Sequence, residues 1–254
     1  MSRVVPSIQK AIRILDLLAD NLPKSLPLKQ IASDLQLPRS TALAMCVTLA
    51  EADMITREMT GNYRLGPHAV TLGSAYLADR NPIENLADAV ALVPELQEET
   101  VVISVLDGSN VVYVAFHMGD HSLSIRYNVG MRLPAQCAAG GKSMLSLLDD
   151  TEVISRLQQV DLTVYSTGEP KTIEDVLADL ASTRERGYAL DDEEISRGMC
   201  CFGAAICGLD NAPIAAVSVT KIKAALSPDD YEKYPNAVMR LAHQLSVNVS
   251  RSAS

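Results

Sequence analysis

Residues 37–55 read LPRSTALAMCVTLAEADMI. Pro38 stops whatever helix precedes it, because it lacks an N–H and its ring breaks an i to i−4 ladder; its fixed φ nevertheless suits the start of a new helix. From Arg39 the chain contains no Gly or Pro and predicts a helix to about Ala52, with Ala42, Leu49 and parts of 43–47 turned to a core. Immediately upstream, Leu28, Ile31, Ala32 and Leu35 make a short helical stripe, joined to the first helix by the tight connection Gln36-Leu37-Pro38.

Two helices joined by so short a turn form a helix-turn-helix, whose second member enters the major groove in DNA binders; a generic three-helix bundle is the bland alternative. A third helix precedes the pair. Ile8, Ala11, Ile12, Leu15 and Leu18 recur at spacings of three and four, Pro6 suits the first turn, and Leu22-Pro23 and Leu26-Pro27 end it. Downstream, Ile55-Thr56-Arg57-Glu58, Met59-Thr60-Gly61-Asn62 and Tyr63-Arg64-Leu65-Gly66 read as strand, turn, strand. A hairpin in that place is a wing, with Arg57 and Arg64 set to touch phosphate or the minor groove.

The net charge of −9 opposes this reading only until its distribution is examined. Residues 1–77 hold eight of the 22 Lys/Arg and six of the 31 Asp/Glu, net +2; the remainder holds 14 and 25, net −11. That asymmetry points to two domains. With two Phe and no Trp, the core must come from Leu, Ile, Val, Ala and Met. Lys10, Arg13 and Asp16 break the apolar run near the N-terminus, so neither a leader nor a membrane span is expected. Five irregularly spaced cysteines fit the reduced thiols of a cytoplasmic protein.

The run LPRSTALAMCVTLAEADMI, followed by YRLGPHAVTLG at 63–73, resembles the winged helix-turn-helix of the IclR family of bacterial regulators. The resemblance implies that the helix from Arg39 is the recognition helix, with Arg39, Ser40, Thr41, Ala44 and Thr48 facing DNA. Ala44 stands where the family often carries Arg, which weakens phosphate or guanine contacts and shifts the burden to avidity. Asp53 stands where the helix usually ends in Gly, and is one of the few other residues that tolerate left-handed geometry. A connector follows: a helical pattern from Pro67 to about Arg80, a break at Asn81-Pro82, and a second stripe of Ile83, Leu86, Val90, Val93 and Leu96. In the family this connector helps to pair two DNA-binding domains; packing within one chain is the alternative.

Beyond it, Val101–Leu106, the turn Asp107-Gly108 and Val111–Phe116 predict a hairpin, and Leu123–Tyr127 a third strand. Helical patterns at about 138–149, 151–159 and 172–186, strands at about 201–207 and 213–220, and a helix at about 228–249 make an α+β layout on an antiparallel sheet. GMRLPAQCAAGGKSMLSLL (130–148) and ERGYALDDEEISRGMCCFGAAICGLDNAPIAAVSVT (185–220) resemble the two signatures of the family's GAF-like effector-binding domain. The division then implied is 1–66 for DNA binding, 67–80 as linker helix, and 81–254 for effector binding and oligomerisation. The resemblance places Leu133, Ala139, Gly140, Asp191, Met199, Cys201, Ser218 and Thr220 around the effector. Small residues opening a helix at Ala138–Gly141 let backbone N–H groups approach an anion. Asp191 would accept, and Ser218 and Thr220 accept or donate, hydrogen bonds. Equally, Asp191 could be a turn residue, Ser218 and Thr220 could simply alternate on a strand, and Cys201 could just be buried.

Three other chemistries are weaker. Gly140-Gly141-Lys142-Ser143 mimics the end of a P-loop, but Gln136 occupies the place of the required first Gly. The family often has His at that position, so the ligand is expected to differ from those of near relatives. The cysteines contain no C-x-x-C pair, and Cys200 and Cys201 would point to opposite faces of a strand, which argues against a metal or redox sensor. The run Asp191–Glu194 has no accompanying nucleophile–base pair, so no enzyme and no cofactor are expected. The expectation is a regulator that binds double-stranded operator DNA as a homodimer or dimer of dimers under control of a small organic acid. The alternative is a sensor whose winged helix mainly contacts protein.

Overall fold

The computed structural model describes residues 4–78, 86–119, 127–208 and 210–252. The chain divides into two compact units, Met1–Asp79 and Arg80–Ser254.

In the first unit, helices α1 (Pro6–Asp20), α2 (Leu28–Asp34) and α3 (Arg39–Glu51) precede a hairpin of β1 (Ile55–Arg57) and β2 (Tyr63–Leu65), then α4 (His68–Ala78). Ile14, Leu18, Leu26, Ile31, Leu35, Cys46, Ile55 and Tyr63 form its core. The stripe expected on α1 is only partly the buried one: Ile14 and Leu18 are enclosed, whereas Ile8 and Ile12 are exposed, because the core meets only the second half of that helix. The α2–α3 connection is tight because Gln36 adopts a positive φ of 53°. Asp53, at the same angle, ends α3 as its residue type allows. Gly61 (φ 85°) turns the wing, pairing Arg57 with Tyr63 and Ile55 with Leu65.

The second unit is built on one antiparallel sheet of β3 (Thr100–Asp107), β4 (Asn110–His117), β5 (Arg132–Pro134), β6 (Ala189–Asp192), β7 (Met199–Cys207) and β8 (Pro213–Ile222), ordered β5-β4-β3-β8-β7-β6. The α+β expectation holds. Helix α5 (Leu86–Ala91) and a 3-10 turn at Pro94–Leu96 replace the single second connector helix; Val93-Pro94 interrupts it, and Ile83 lies outside the described residues. The expected strand at Leu123–Tyr127 also lies outside them except for Tyr127, which is not in a strand. The partner of β4 is β5 instead, and β6 was not expected from the sequence. Helices α6 (Ala139–Leu145), α7 (Asp150–Leu157) and α8 (Ile173–Arg186) cover one face, closing a core that includes Val111, Leu133, Met144, Leu145, Leu157 and Leu180. Thr172 caps α8 in a reciprocal box with Asp175, and Gly187 (φ 79°) ends it. The long α9 (Asp230–Ser252) covers the other face, where Phe202 packs against Tyr231 and Tyr234. No described helix is long and apolar enough to cross a membrane.

Candidate functional site

Two surfaces carry the expected residues, one on each unit. On α3, Arg39, Ser40, Ala44 and Thr48 are exposed and Thr41 is half-buried; Arg57 and Arg64 are exposed on the wing. The Thr48 hydroxyl donates to the Ala44 carbonyl at 3.1 Å. Arg57 lies over the Tyr63 ring, 5.9 Å from its centre, and Arg64 stands 3.6 Å from Glu58, contacts weak enough in water to exchange for phosphate. Ala42 is buried as expected, and of the stretch 43–47 it is Cys46 that is buried with it, while Leu43 and Val47 face solvent.

On the second unit, strand register lines up polar side chains across the face that α6 covers. Thr100 pairs with Thr220, Thr220 with Cys201, and Cys201 with Asp191, a row across four strands. Ser218 lies in the next row between Val102 and Gly203, and Met199 is two residues before Cys201 on the same face. Ala139 and Gly140 sit on this face too, but against the sheet. A Cβ on Gly140 would stand 2.5 Å from the Ser104 Oγ, and one on Gly203 2.7 Å from the Ala139 backbone. Close helix-on-sheet packing therefore explains these glycines without a ligand. Leu133 is buried on edge strand β5, at the far side of the sheet from Asp191.

Asp191 is buried, and its Oδ1 accepts the backbone N–H groups of Glu194 (2.8 Å) and Ile195 (3.2 Å). It is thus a turn residue that also belongs to the polar row on this face. Burial lifts its pKa to about 6 against the opposing pull of those N–H groups and of Lys142. The Cys201 Sγ lies 3.5 Å from the Thr220 hydroxyl; burial, then the Asp191 charge, hold that thiol well above its ordinary range. Two tyrosines that sequence reasoning missed complete the face. Tyr113 stacks on Tyr127 with ring centres 6.1 Å apart, and burial raises both phenols, that of Tyr127 to about 12. Pairing runs unbroken from the hairpin turn to Ser104 and Tyr113, so alternation from Val111 could have placed Tyr113 on this face; nothing along the chain signals that Tyr127 stacks on it. The Ser104 and Thr100 hydroxyls are buried with no hydrogen-bond partner among the described residues. Two cavities, of about 500 and 360 Å³, lie elsewhere in this unit, and of the expected residues only Thr220 borders one, the larger.

The description "Bacterial transcriptional regulator IclR C-terminal" matches residues 75–247. The chain belongs to the IclR family. "IclR helix-turn-helix domain" matches residues 7–58, covering α1 to the wing's first strand. The transcriptional repressor IclR of Escherichia coli K12 is 26% identical over 246 residues, 96% of this chain and 89% of that protein. The Agobacterium tumefaciens repressor BlcR is 30% identical, with a TM-score of 0.60, over 96% of this chain and 97% of that one. An IclR homologue from Microbacterium hydrocarbonoxydans, solved with 4-hydroxybenzoate, shares the fold at 20% identity and TM-score 0.79, over 98% and 100%. This chain is accordingly a transcriptional regulator with a helix-turn-helix domain and the C-terminal domain of that family.

The other chemistries have structural answers in this IclR-family chain. The Lys142 ammonium donates to the Leu190 carbonyl (2.8 Å), pairs with Asp179 (2.7 Å) and contacts Glu194, so it is engaged in the fold rather than free for phosphate. Burial pulls its pKa down, but the Glu194 and Asp179 carboxylates outweigh burial and leave it raised. In the acidic run, Asp192 and Glu193 pair with Lys223, and Glu194 with Lys142 and Lys171. Asp191 and Asp192 end a strand rather than lying in a loop. Among the described residues no group of His, Cys, Asp or Glu could hold a metal ion.

Proposed function

We propose that this regulator binds duplex operator DNA through α3 and the wing, and releases or tightens on it when a small organic acid occupies the α6-facing side of the sheet. Residues 1–66 would form the DNA-binding domain, 67–80 the linker helix and 81–254 the effector-binding and oligomerisation domain. Arg39, Ser40, Thr41, Ala44 and Thr48 would face the major groove, with Arg57 and Arg64 on flanking phosphate or the minor groove.

The observation that carries the ligand half is the row Thr100, Thr220, Cys201 and Asp191, together with the buried Thr100 and Ser104 hydroxyls that have no hydrogen-bond partner among the described residues. An unpaired buried hydroxyl costs about 1–3 kcal/mol, which a hydrogen-bonding ligand or water offsets. Asp191 calls for a donor, such as a ligand hydroxyl, and the opening turn of α6 at Ala139 and Gly140 for an acceptor, such as a carboxylate. The relative solved with 4-hydroxybenzoate carries both groups on one ligand, which supports that pairing of chemistry. Met199 would supply apolar wall and Ser218 a further polar contact, while Leu133, on the opposite edge strand, would serve only through the core behind the site.

A homodimer or dimer of dimers would place paired winged helices on a palindromic site in the cytoplasm. The effector would act by binding one arrangement of the assembly more tightly, and can shift it only by that difference. The test is a gel-shift titration with DNA from the gene's own upstream region against excess random DNA, repeated with a panel of organic acids. Competitor-resistant binding altered by one acid supports the proposal. Binding no tighter than to random DNA, with and without acids, overturns it and favours the protein-contact reading, which Ala44 and the exposed Leu43 and Val47 also fit.

A further inference from the structure

We infer that α3 selects its operator by apolar contact with thymine methyl groups, using Leu43, Ala44 and Val47. This rests on the DNA-binding reading above and goes further, to what is read in the groove.

At 3.6 residues per turn, Ser40, Leu43, Ala44, Val47, Thr48 and Glu51 share one face, opposite the buried Ala42 and Cys46. All six are exposed, and Leu43 and Val47 remain 42% and 46% accessible. The core of this unit is filled without them by Cys46 and its neighbours on α1, α2 and the wing. The face contains no Lys or Arg. Thr48 has given its hydroxyl proton to the Ala44 carbonyl. No side chain on the face therefore offers the paired donors that read guanine, or the amide that reads adenine. Between Ser40 at its start and the Glu51 carboxylate at its end, what it offers is methyl-bearing surface, and the apolar feature of a base pair in the major groove is the C5 methyl of thymine.

Charge complementarity commits the face to a duplex. Arg39 stands at the start of α3, and Arg57 and Arg64 are exposed on the wing of the same unit, three cations of the kind that phosphates on either side of a groove require. The cations position the helix, and the strip discriminates among bases. Burying one methyl changes affinity roughly fourfold, so discrimination must accumulate over several thymines and over repeated half-sites.

The test begins by footprinting the upstream DNA. Each protected thymine is then replaced by deoxyuridine, which keeps the pairing and removes the methyl. Roughly fourfold weaker binding is expected at each contacted thymine, with no change for replacements outside the footprint. The penalty should shrink or vanish for Leu43→Ala or Val47→Ala, whose exposed positions spare the fold. Equal affinity for thymine and uracil duplexes throughout the footprint overturns the inference while operator binding stands. A uracil penalty that both variants retain in full also overturns it, since other side chains would then hold the methyls. Failure to find any competitor-resistant site overturns the inference and the DNA-binding reading together.

Discussion

Asp191 holds the backbone of residues 194 and 195 with one carboxylate oxygen while burial raises its pKa from 3.8 to about 6. Between those values the folded chain binds a proton that the unfolded chain does not. The stability this contributes is fully present below pH 3.8 and is lost as pH rises through 6. Asp191→Asn keeps an acceptor for the two N–H groups and carries no charge. It is expected to exceed the parent in stability at pH 7.5, by on the order of 2–3 kcal/mol, and to converge with it below pH 4. Denaturant unfolding at both pH values would check this, and a gap independent of pH would refute the buried-carboxylate account. A ligand hydroxyl donating to the carboxylate would likewise bind less well as pH falls from 7 to 5, and Asp191→Asn should flatten that profile. On the first unit, Arg39→Ala is expected to weaken operator binding and to lower the slope of log affinity against log salt by about one, with effector affinity unchanged. Binding isotherms at several salt concentrations would show it.

At the level of elements, α6 is seated by backbone approach rather than by side-chain interdigitation. The atoms that a Cβ on Gly203 would meet belong to the backbone of Ala139 and Gly140, whereas a Cβ on Gly140 would first meet the Ser104 hydroxyl, which can rotate. Gly203→Ala should therefore cost about 1–3 kcal/mol and Gly140→Ala distinctly less, the latter rescued further by Ser104→Ala. Thermal unfolding of the three variants would rank them, and a reversed order would undo this account of the packing. The helix-turn-helix elements were legible because their periodicity, Pro38 and Asp53 are local signals. β6 was not: an acidic run does not read as a strand, and Asp191 and Asp192 are held there by pairing with Cys201 and Cys200.

For the whole molecule, the positive balance of residues 1–77 and the acidity of the rest separate attraction for phosphate from the unit proposed to sense the effector. Sedimentation at micromolar concentration should give twice or four times the 27.3 kDa chain mass. A monomer would remove the avidity on which a recognition helix with Ala44 in place of a basic residue depends. A bound effector should raise the unfolding temperature of the Arg80–Ser254 unit in calorimetry by mass action, and should raise it less in Asp191→Asn.

Local patterning pointed to the three N-terminal helices, the hairpin after them and the alternation of strand and helix segments in an α+β layout, and period-two alternation put Cys200 and Cys201 on opposite faces of a strand, because each of these signals lies within a short stretch of chain. Tertiary structure decided which face of α3 is apolar and open, which half of α1 is buried, and that Gly140 and Gly203 serve packing. It also brought Tyr113, Tyr127 and Thr100 to the face that carries Asp191, Cys201 and Thr220, and set Ser104 between Tyr113 and Ala216 on that face. These side chains come from five strands and a loop distant in sequence, and a bulge in β3–β4 shifts their phase. Cross-strand register is fixed by the packing of the whole sheet, and no single segment encodes it.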